Sequence, residues 1–208
     1  AGNGGIDAVI NNAGIGNWGI DEGYSVDQAR QIFDVNLFGV MRVNRAVVPK
    51  MREAGKGTLI YVTSGLGRFV FPFVAIYSAT KYALEAFAES SHYELAPLGI
   101  ESVIVQPGAY GTSFLGNTLQ PTTDVMGAYG QTAKSFQEFS AAFGARAEAG
   151  ELGDPAEVVQ ALVEEVERDG GDRPLRRPVG QDVEEALGMV NKVCDQVQEN
   201  ILAEFGIK

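Results

Sequence analysis

The stretch "EAGKGTLIYVTSG", residues 53–65, decides the fold. Gly55 marks a helix stop, and the apolar run from Thr58 to Thr63 just after it reads as a buried strand. Upstream, "IDAVINNAG" (residues 6–14) is another short apolar run, halted by an Asn-Asn-Ala-Gly turn as a buried strand of a parallel sheet would be. Between the two, residues 25–51 place Ile32, Val35, Phe38, Val43 and Val47 at helical spacing behind the capping residue Ser25. Downstream, a loop with Pro72 leads into the helix of "YSATKYALEAFAES" (residues 77–90), which ends near Pro97. "LGIESVIVQPG" (residues 98–108) then supplies a third strand, Glu101 to Gln106, closed by Pro107 and Gly108. This alternation predicts an α/β fold, a doubly wound parallel sheet in three αβα layers with right-handed crossovers.

The remainder extends the same domain, so that residues 1–208 read as one unit without repeats or linkers. The segment 112–153 has no strand pattern, carries Phe114, Tyr129, Phe136, Phe139 and Phe143, and is too long for a plain connection. It reads as a partly helical lid, whose substrate-covering part is residues 113–150. "GDPAEVVQALVEEVERD" (residues 153–169) is a helix with Asp154 as cap and Pro155 in its first turn. A short strand at residues 177–179 and a helix over 183–205 complete the chain.

Composition narrows the function classes. Hydrophobic residues at 45 % and charged residues at 21 % suit a soluble globular domain. A net charge of -11 argues against nucleic acid or an anionic membrane as partner. The basic knot "DRPLRRP" (residues 172–178) reads as solvated surface. A single cysteine, Cys194, rules out an internal disulfide or a Cys-based zinc site and suits a cytoplasmic location. No apolar run approaches the ~18 residues of a membrane span. The one histidine, His92, lies mid-helix with no G-x-S-x-G motif, which removes Ser-His-Asp hydrolysis, and no metal site is expected.

Catalysis then falls to hydroxyls, amines, amides and carboxylates. Tyr77 and Lys81 are four apart on one helix face. Spacing alone leaves two readings open: a packed aromatic beside a surface charge, or a proton donor tuned by a cation that lowers its pKa by roughly 1–3 units. Ser64 ends the preceding strand, Asn12 follows the first strand and "PGAYGT" follows the third, all at the sheet edge where ligands of open α/β sheets bind. Asn36 interrupts the apolar face of the first helix, and an amide there needs a reason.

"NNAG" (11–14), "VN" with Asn36, "VTSG" with Ser64, "YSATK" (77–81) and "PGAYGT" (107–112) together resemble the short-chain dehydrogenase/reductase family, in order and spacing, over about half the chain. The resemblance implies a Rossmann-like fold and an oxidoreductase using NAD or NADP on a small or medium apolar alcohol, ketone or aldehyde. It implies that Tyr77 exchanges the substrate proton, that Ser64 holds the substrate oxygen, and that Lys81 lowers the Tyr77 pKa and binds the nicotinamide ribose. Asn36 would orient a water beside Lys81. Asn12, Ala13 and Gly14 would line the adenine-ribose side, and Pro107, Gly108, Tyr110 and Thr112 the nicotinamide and its phosphate. A homodimer or homotetramer through helices 25–51 and 77–96 is implied as well.

The departure from the family is at the start. "AGNGG" neither follows a strand nor opens a helix, so it fails as a phosphate-binding turn and reads as the loop before the family's fourth strand. The family's glycine-rich N-terminal segment is expected to be missing here, which would make "IDAVI" an apolar edge strand. A non-catalytic remnant or partner-completed binding protein is the alternative reading. An isomerase or dehydratase of the same superfamily is disfavoured by the modest length after "PGAYGT".

Overall fold

The computed structural model describes residues 5–206, so Gly2 and Gly4 of the "AGNGG" opening lie outside the described residues. Four strands form one parallel sheet in chain order: β1 (Ala8–Asn11), β2 (Gly57–Val62), β3 (Ile100–Pro107) and β4 (Arg176–Val179). Every expected strand is present within two residues of its expected start. Among the described strands β1 forms one edge, with Ile6 and Ile10 exposed.

Alternation across β2 explains the layers. Leu59 and Tyr61 point to one face, where they meet Val47 and Met51 of α2 (Val40–Ala54) and Leu84 and Ala88 of α3 (Ala75–Leu95) once α1 (Val26–Phe33) has led into α2. Ile60 points to the other, joining Val103, Val105 and Ala161. Ala161 lies on α5 (Pro155–Glu167), which follows α4 (Gly130–Glu148) and is capped by Asp154 as expected. Strands buried on both faces are why the apolar runs show no clean alternation. The step from β3 to β4 keeps its direction while its helix, α5, sits on the opposite face from α2 and α3. That crossover therefore has the opposite hand to the first two. The last helix, α6 (Glu184–Glu204), packs beside β4 and carries Cys194 exposed.

The first long helix begins as expected. Ser25 accepts a hydrogen bond from the Gln28 amide at 3.2 Å while the Gln28 side chain accepts from the Ser25 amide at 3.0 Å, a reciprocal cap. It does not continue as a regular helix: Asp34–Gly39 winds as a π-helix between α1 and α2. Such a turn inserts a residue and re-aims the helix beyond it. Asn36 is thereby turned fully inward, with 0 % exposure.

Residues 113–150 are tied down by their aromatics. Trp18 stacks on Phe139 at 5.2 Å and its indole donates to Ser140 at 2.9 Å. Phe73, held at φ 72°, packs on Phe136 at 5.1 Å. Most of the aromatic rings of this segment thus cover the body of the protein.

"DRPLRRP" is corrected by the structure, for it is no solvated surface. The Arg176 side chain is 3 % exposed and binds Glu85 at 3.2 Å, Glu89 at 2.6 Å and Asp195 at 2.7 Å. Arg177 binds Glu164 and, at 2.7 Å, Glu165, and Arg173 binds Glu101. The carboxylates come from other elements, chiefly α3, α5 and α6, which the local sequence around the arginines does not display. Among the described residues no helix is long and apolar enough to cross a membrane, and no group of three or more His, Cys, Asp or Glu side chains could hold a metal ion.

Candidate active site

Three consecutive residues at the end of β2 meet three turns of α3. Ser64 turns the chain, its hydroxyl accepting from the Leu66 amide at 3.1 Å, and lies beside the Tyr77 phenol. The Val62 carbonyl accepts from Lys81 Nζ at 2.8 Å, and the Thr63 hydroxyl donates to Glu85 at 2.7 Å. Lys81 Nζ stands 5.6 Å from the centre of the Tyr77 ring. Lys81 is 4 % exposed. Spacing on one helix face thus does place the pair together, and the reading of Lys81 as a surface charge is removed.

The electrostatics differ from the expectation that Lys81 lowers the Tyr77 pKa. Burial pushes the Tyr77 hydroxyl up to about 12, and the Ser64 hydroxyl offsets only part of this. Burial likewise brings Lys81 down to about 8, opposed by the charge of Glu85. Desolvation outweighs the partners at both groups: Lys81 is buried, and the half-buried Tyr77 lies under Phe114 with Ser64 as its one offsetting partner. In this state Tyr77 is protonated at neutral pH and Lys81 is mostly charged.

Asn36 reaches the site from the π-helix. Its Oδ1 accepts from the Ile15 amide at 2.9 Å, and its Nδ2 donates to the Ile15 carbonyl at 2.8 Å and to Thr80 Oγ1 at 2.9 Å. Instead of facing open solvent, the amide clamps the loop after β1 onto α3. That loop carries Asn12 and Ala13, both exposed, and the half-buried Gly14. A Cβ built on Gly14 would lie 3.4 Å from Asn36 Oδ1 and 3.7 Å from Lys81 Nζ. The bare glycine backbone therefore leaves the ammonium approachable.

One residue of this site carried no flag in the sequence. Asn17, 1 % exposed, accepts the Tyr77 amide at 2.9 Å and so caps α3 from a distant loop, since Val74 at the helix start offers no side-chain cap. Its only signal is a polar residue inside the glycine-rich run "GIGNWG". Phe114, from the segment after β3, lies on the Tyr77 ring at 5.1 Å.

The exit of β3 divides. Pro107 ends the strand, and Gly108 donates to the Val179 carbonyl at 2.9 Å. Thr112 is exposed, its hydroxyl accepting from the Phe114 amide at 3.3 Å. The resemblance would have Tyr110 face the nicotinamide, yet its ring packs toward α5 and β4 and its hydroxyl donates to Glu157 at 3.1 Å. Pairing of Tyr110 with Gly153 and the apolar patch of Val158 and Leu162 draw the ring that way.

A parallel sheet flanked by helices, with hydroxyl, phenol and ammonium gathered at its C-terminal edge, is the Rossmann-like arrangement. The chain belongs to the short-chain dehydrogenase family, whose model, described as "short chain dehydrogenase", matches residues 1–122. It is 35 % identical over 185 residues to the uncharacterized oxidoreductase YusZ of Bacillus subtilis, covering 88 % of this chain and 64 % of that protein. It is 37 % identical over 112 residues to a 3-ketodihydrosphingosine reductase of Bacteroides thetaiotaomicron, covering 54 % of this chain and 42 % of that one. Among solved structures, a short-chain dehydrogenase from Streptomyces avermitilis superposes with a TM-score of 0.70 at 30 % identity, over 97 % of this chain and 69 % of that one. A gluconate 5-dehydrogenase from Burkholderia cenocepacia, in complex with NADP and tartrate, gives 0.53 at 31 % identity over 54 % and 44 %. The chain thus spans less than two thirds of the length of either curated relative.

Proposed function

We propose that this chain carries the proton-handling part of an oxidoreductase that interconverts an alcohol and a ketone or aldehyde with NAD or NADP. The observation that carries this reading is the meeting of Ser64, Tyr77 and Lys81 where β2 and α3 share one edge. The residues present suit the ribose and nicotinamide end of such a cofactor. Lys81 offers an ammonium past the bare backbone of Gly14, Tyr77 offers a hydroxyl, and Asn12 and Ala13 are exposed beside them. Among the described residues no glycine-rich strand-to-helix turn stands ready for a pyrophosphate.

A bound nicotinamide supplies or accepts the hydride. Tyr77, which keeps its proton at neutral pH, donates it to a carbonyl oxygen in reduction and recovers it in oxidation. Ser64 hydrogen-bonds that same oxygen and fixes it within reach of the phenol. Lys81 binds ribose hydroxyls, while Asn36 and Asn17 hold the loop and the helix start that frame the two. Asn12, Ala13 and Gly14 line the adenine-ribose side, and Pro107, Gly108 and Thr112 flank the nicotinamide. Phe114 on the Tyr77 ring, with Leu115 next to it, favours a small or medium apolar substrate. Exposed Phe38 and Met41 on the first long helix and Tyr82 on α3 favour a homodimer or homotetramer.

Calorimetric titration of the chain with NAD and with NADP tests the reading, which requires binding of at least one. Tyr77→Phe should then lower turnover by about 10²-fold or more with cofactor affinity kept. Binding of neither nucleotide, or unchanged turnover in that variant, would defeat it.

A further inference from the structure

The site continues inward past Lys81, along α3. One turn on, Glu85 is 2 % exposed and lies at the centre of a polar chain. Its Oε1 accepts from the Thr63 hydroxyl at 2.7 Å and from Gln106 Nε2 at 2.9 Å, and its Oε2 accepts from Arg176 Nε at 3.2 Å. Gln106 in turn accepts from Asn191 of α6 at 2.7 Å. Three side chains therefore hold one carboxylate, with α6 supporting it through Gln106, and a buried carboxylate is tolerated at that depth only when its oxygens are matched.

Its position relates to two buried cations. Arg176 binds it directly at 3.2 Å, and Lys81 stands one turn earlier on the same helix without an ion pair to it. The outer side of Arg176 has its own partners, Glu89 and Asp195. Lys81 has no comparable reserve: its hydrogen bond goes to the neutral Val62 carbonyl. From the other segments packed on it, the turn after β2 offers Thr63 and Ser64, the π-helix offers Asn36 and the first loop offers Gly14, none of them charged. Tyr77 is the remaining titratable neighbour, and it is protonated. The turn after β2 also presses on this part of α3. A Cβ on Gly67 would come within 3.0 Å of Glu85 Cγ and 3.1 Å of the Lys81 backbone carbonyl, so the turn packs closely on the Glu85 stem and on the helix backbone one turn before it.

We propose that Glu85 is a positioning residue of the site, its buried carboxylate keeping the Lys81 ammonium charged and aimed at the Tyr77 edge. Glu85 touches neither the reacting atoms nor the ribose; it acts through Lys81. The linkage also runs outward, since Arg176 and Asp195 join Glu85 to α6, so that the C-terminal helix shares in setting the charge at the reaction site. This inference rests on the reading of Lys81 as a ribose-binding and proton-supporting group. Its test is made without nucleotide or substrate, so a chain that bound no cofactor would defeat that reading and leave this one measurable.

The full chain is labelled with ¹³Cε-lysine, the Lys81 signal is assigned by its loss in Lys81→Arg, and the signal is followed from pH 6 to pH 11. In the unmutated chain Lys81 should be in the charged form at pH 7. A neutral Lys81 there overturns the proposal by itself. Glu85→Gln keeps the shape and removes the charge, and should move the Lys81 midpoint down by about one pH unit or more. Glu85→Asp should restore much of that shift, which a purely structural role would not produce. An unmoved midpoint in a folded Glu85→Gln chain overturns the proposal. If Glu85→Gln does not fold, Arg176→Gln gives the opposite sign, because it frees the carboxylate from its competing cation. There the Lys81 midpoint should rise, and a midpoint that stays or falls overturns the proposal.

Discussion

Replacing Lys81 by methionine is expected to stabilise the chain at pH 7 and to lose that advantage by about pH 10. An unfolded lysine holds its proton to 10.5, whereas burial brings the folded Lys81 down to about 8. Between those values the unfolded chain binds more protons than the folded one, so stability climbs with pH. Below that window both states are charged, and the penalty is the full gap of about 2.5 pH units at ~1.4 kcal/mol each, about 3 kcal/mol. Methionine escapes it but strips the Val62 carbonyl of its donor, a loss of about 1 kcal/mol. The net gain is about 2 kcal/mol at pH 7, about 1 kcal/mol at pH 9 and about zero near pH 10. Tyr77 leaves this window undisturbed, since below its unfolded value of 10.0 it is protonated folded and unfolded alike. Urea unfolding of both chains by circular dichroism, at intervals from pH 6 to pH 10, reads the difference directly. A methionine variant that is less stable at pH 7, or a difference independent of pH, refutes the reasoning.

Gly108→Ala should destabilise by about 1–3 kcal/mol, because its Cβ would lie 2.1 Å from Asp182 Oδ1. Adding Asp182→Ala should return most of that loss in a thermal melt, and an unchanged melt for the single variant would count against the contact. Arg176→Leu strands Glu85 without its cation and should cost about 3–5 kcal/mol in urea unfolding, far more than an exposed arginine would. Ser25→Ala removes the cap of α1 and should cost about 1 kcal/mol by the same assay; an unshifted midpoint would contradict the capping assignment.

What could be read ahead of the structure was local. Ser25 and Gln28 satisfy each other within one turn, and Tyr77 and Lys81 share a face by spacing alone, so both were legible. Asn36 was visible as an amide out of place, but the π-helix that turns it inward has no composition of its own. Arg176 was misread because its three carboxylates lie as far as 91 residues away. Tyr110 belonged to a motif that fixes its backbone, while the direction of its ring was decided by α5 and β4. The Tyr77 pKa went the other way from the expectation, since a neighbouring cation is evident from spacing and the depth of burial is not.

Trp18 is the one tryptophan of the chain, and it sits where α4 meets the body, stacked on Phe139 and tilted against Phe143 at 5.3 Å. Its indole emission is consequently a spectroscopic gauge of α4. Moving α4 off the body unstacks this ring and breaks its bond to Ser140, which exposes the indole to water and moves its emission to the red. This chain therefore carries an optical probe of α4 displacement, readable without a label.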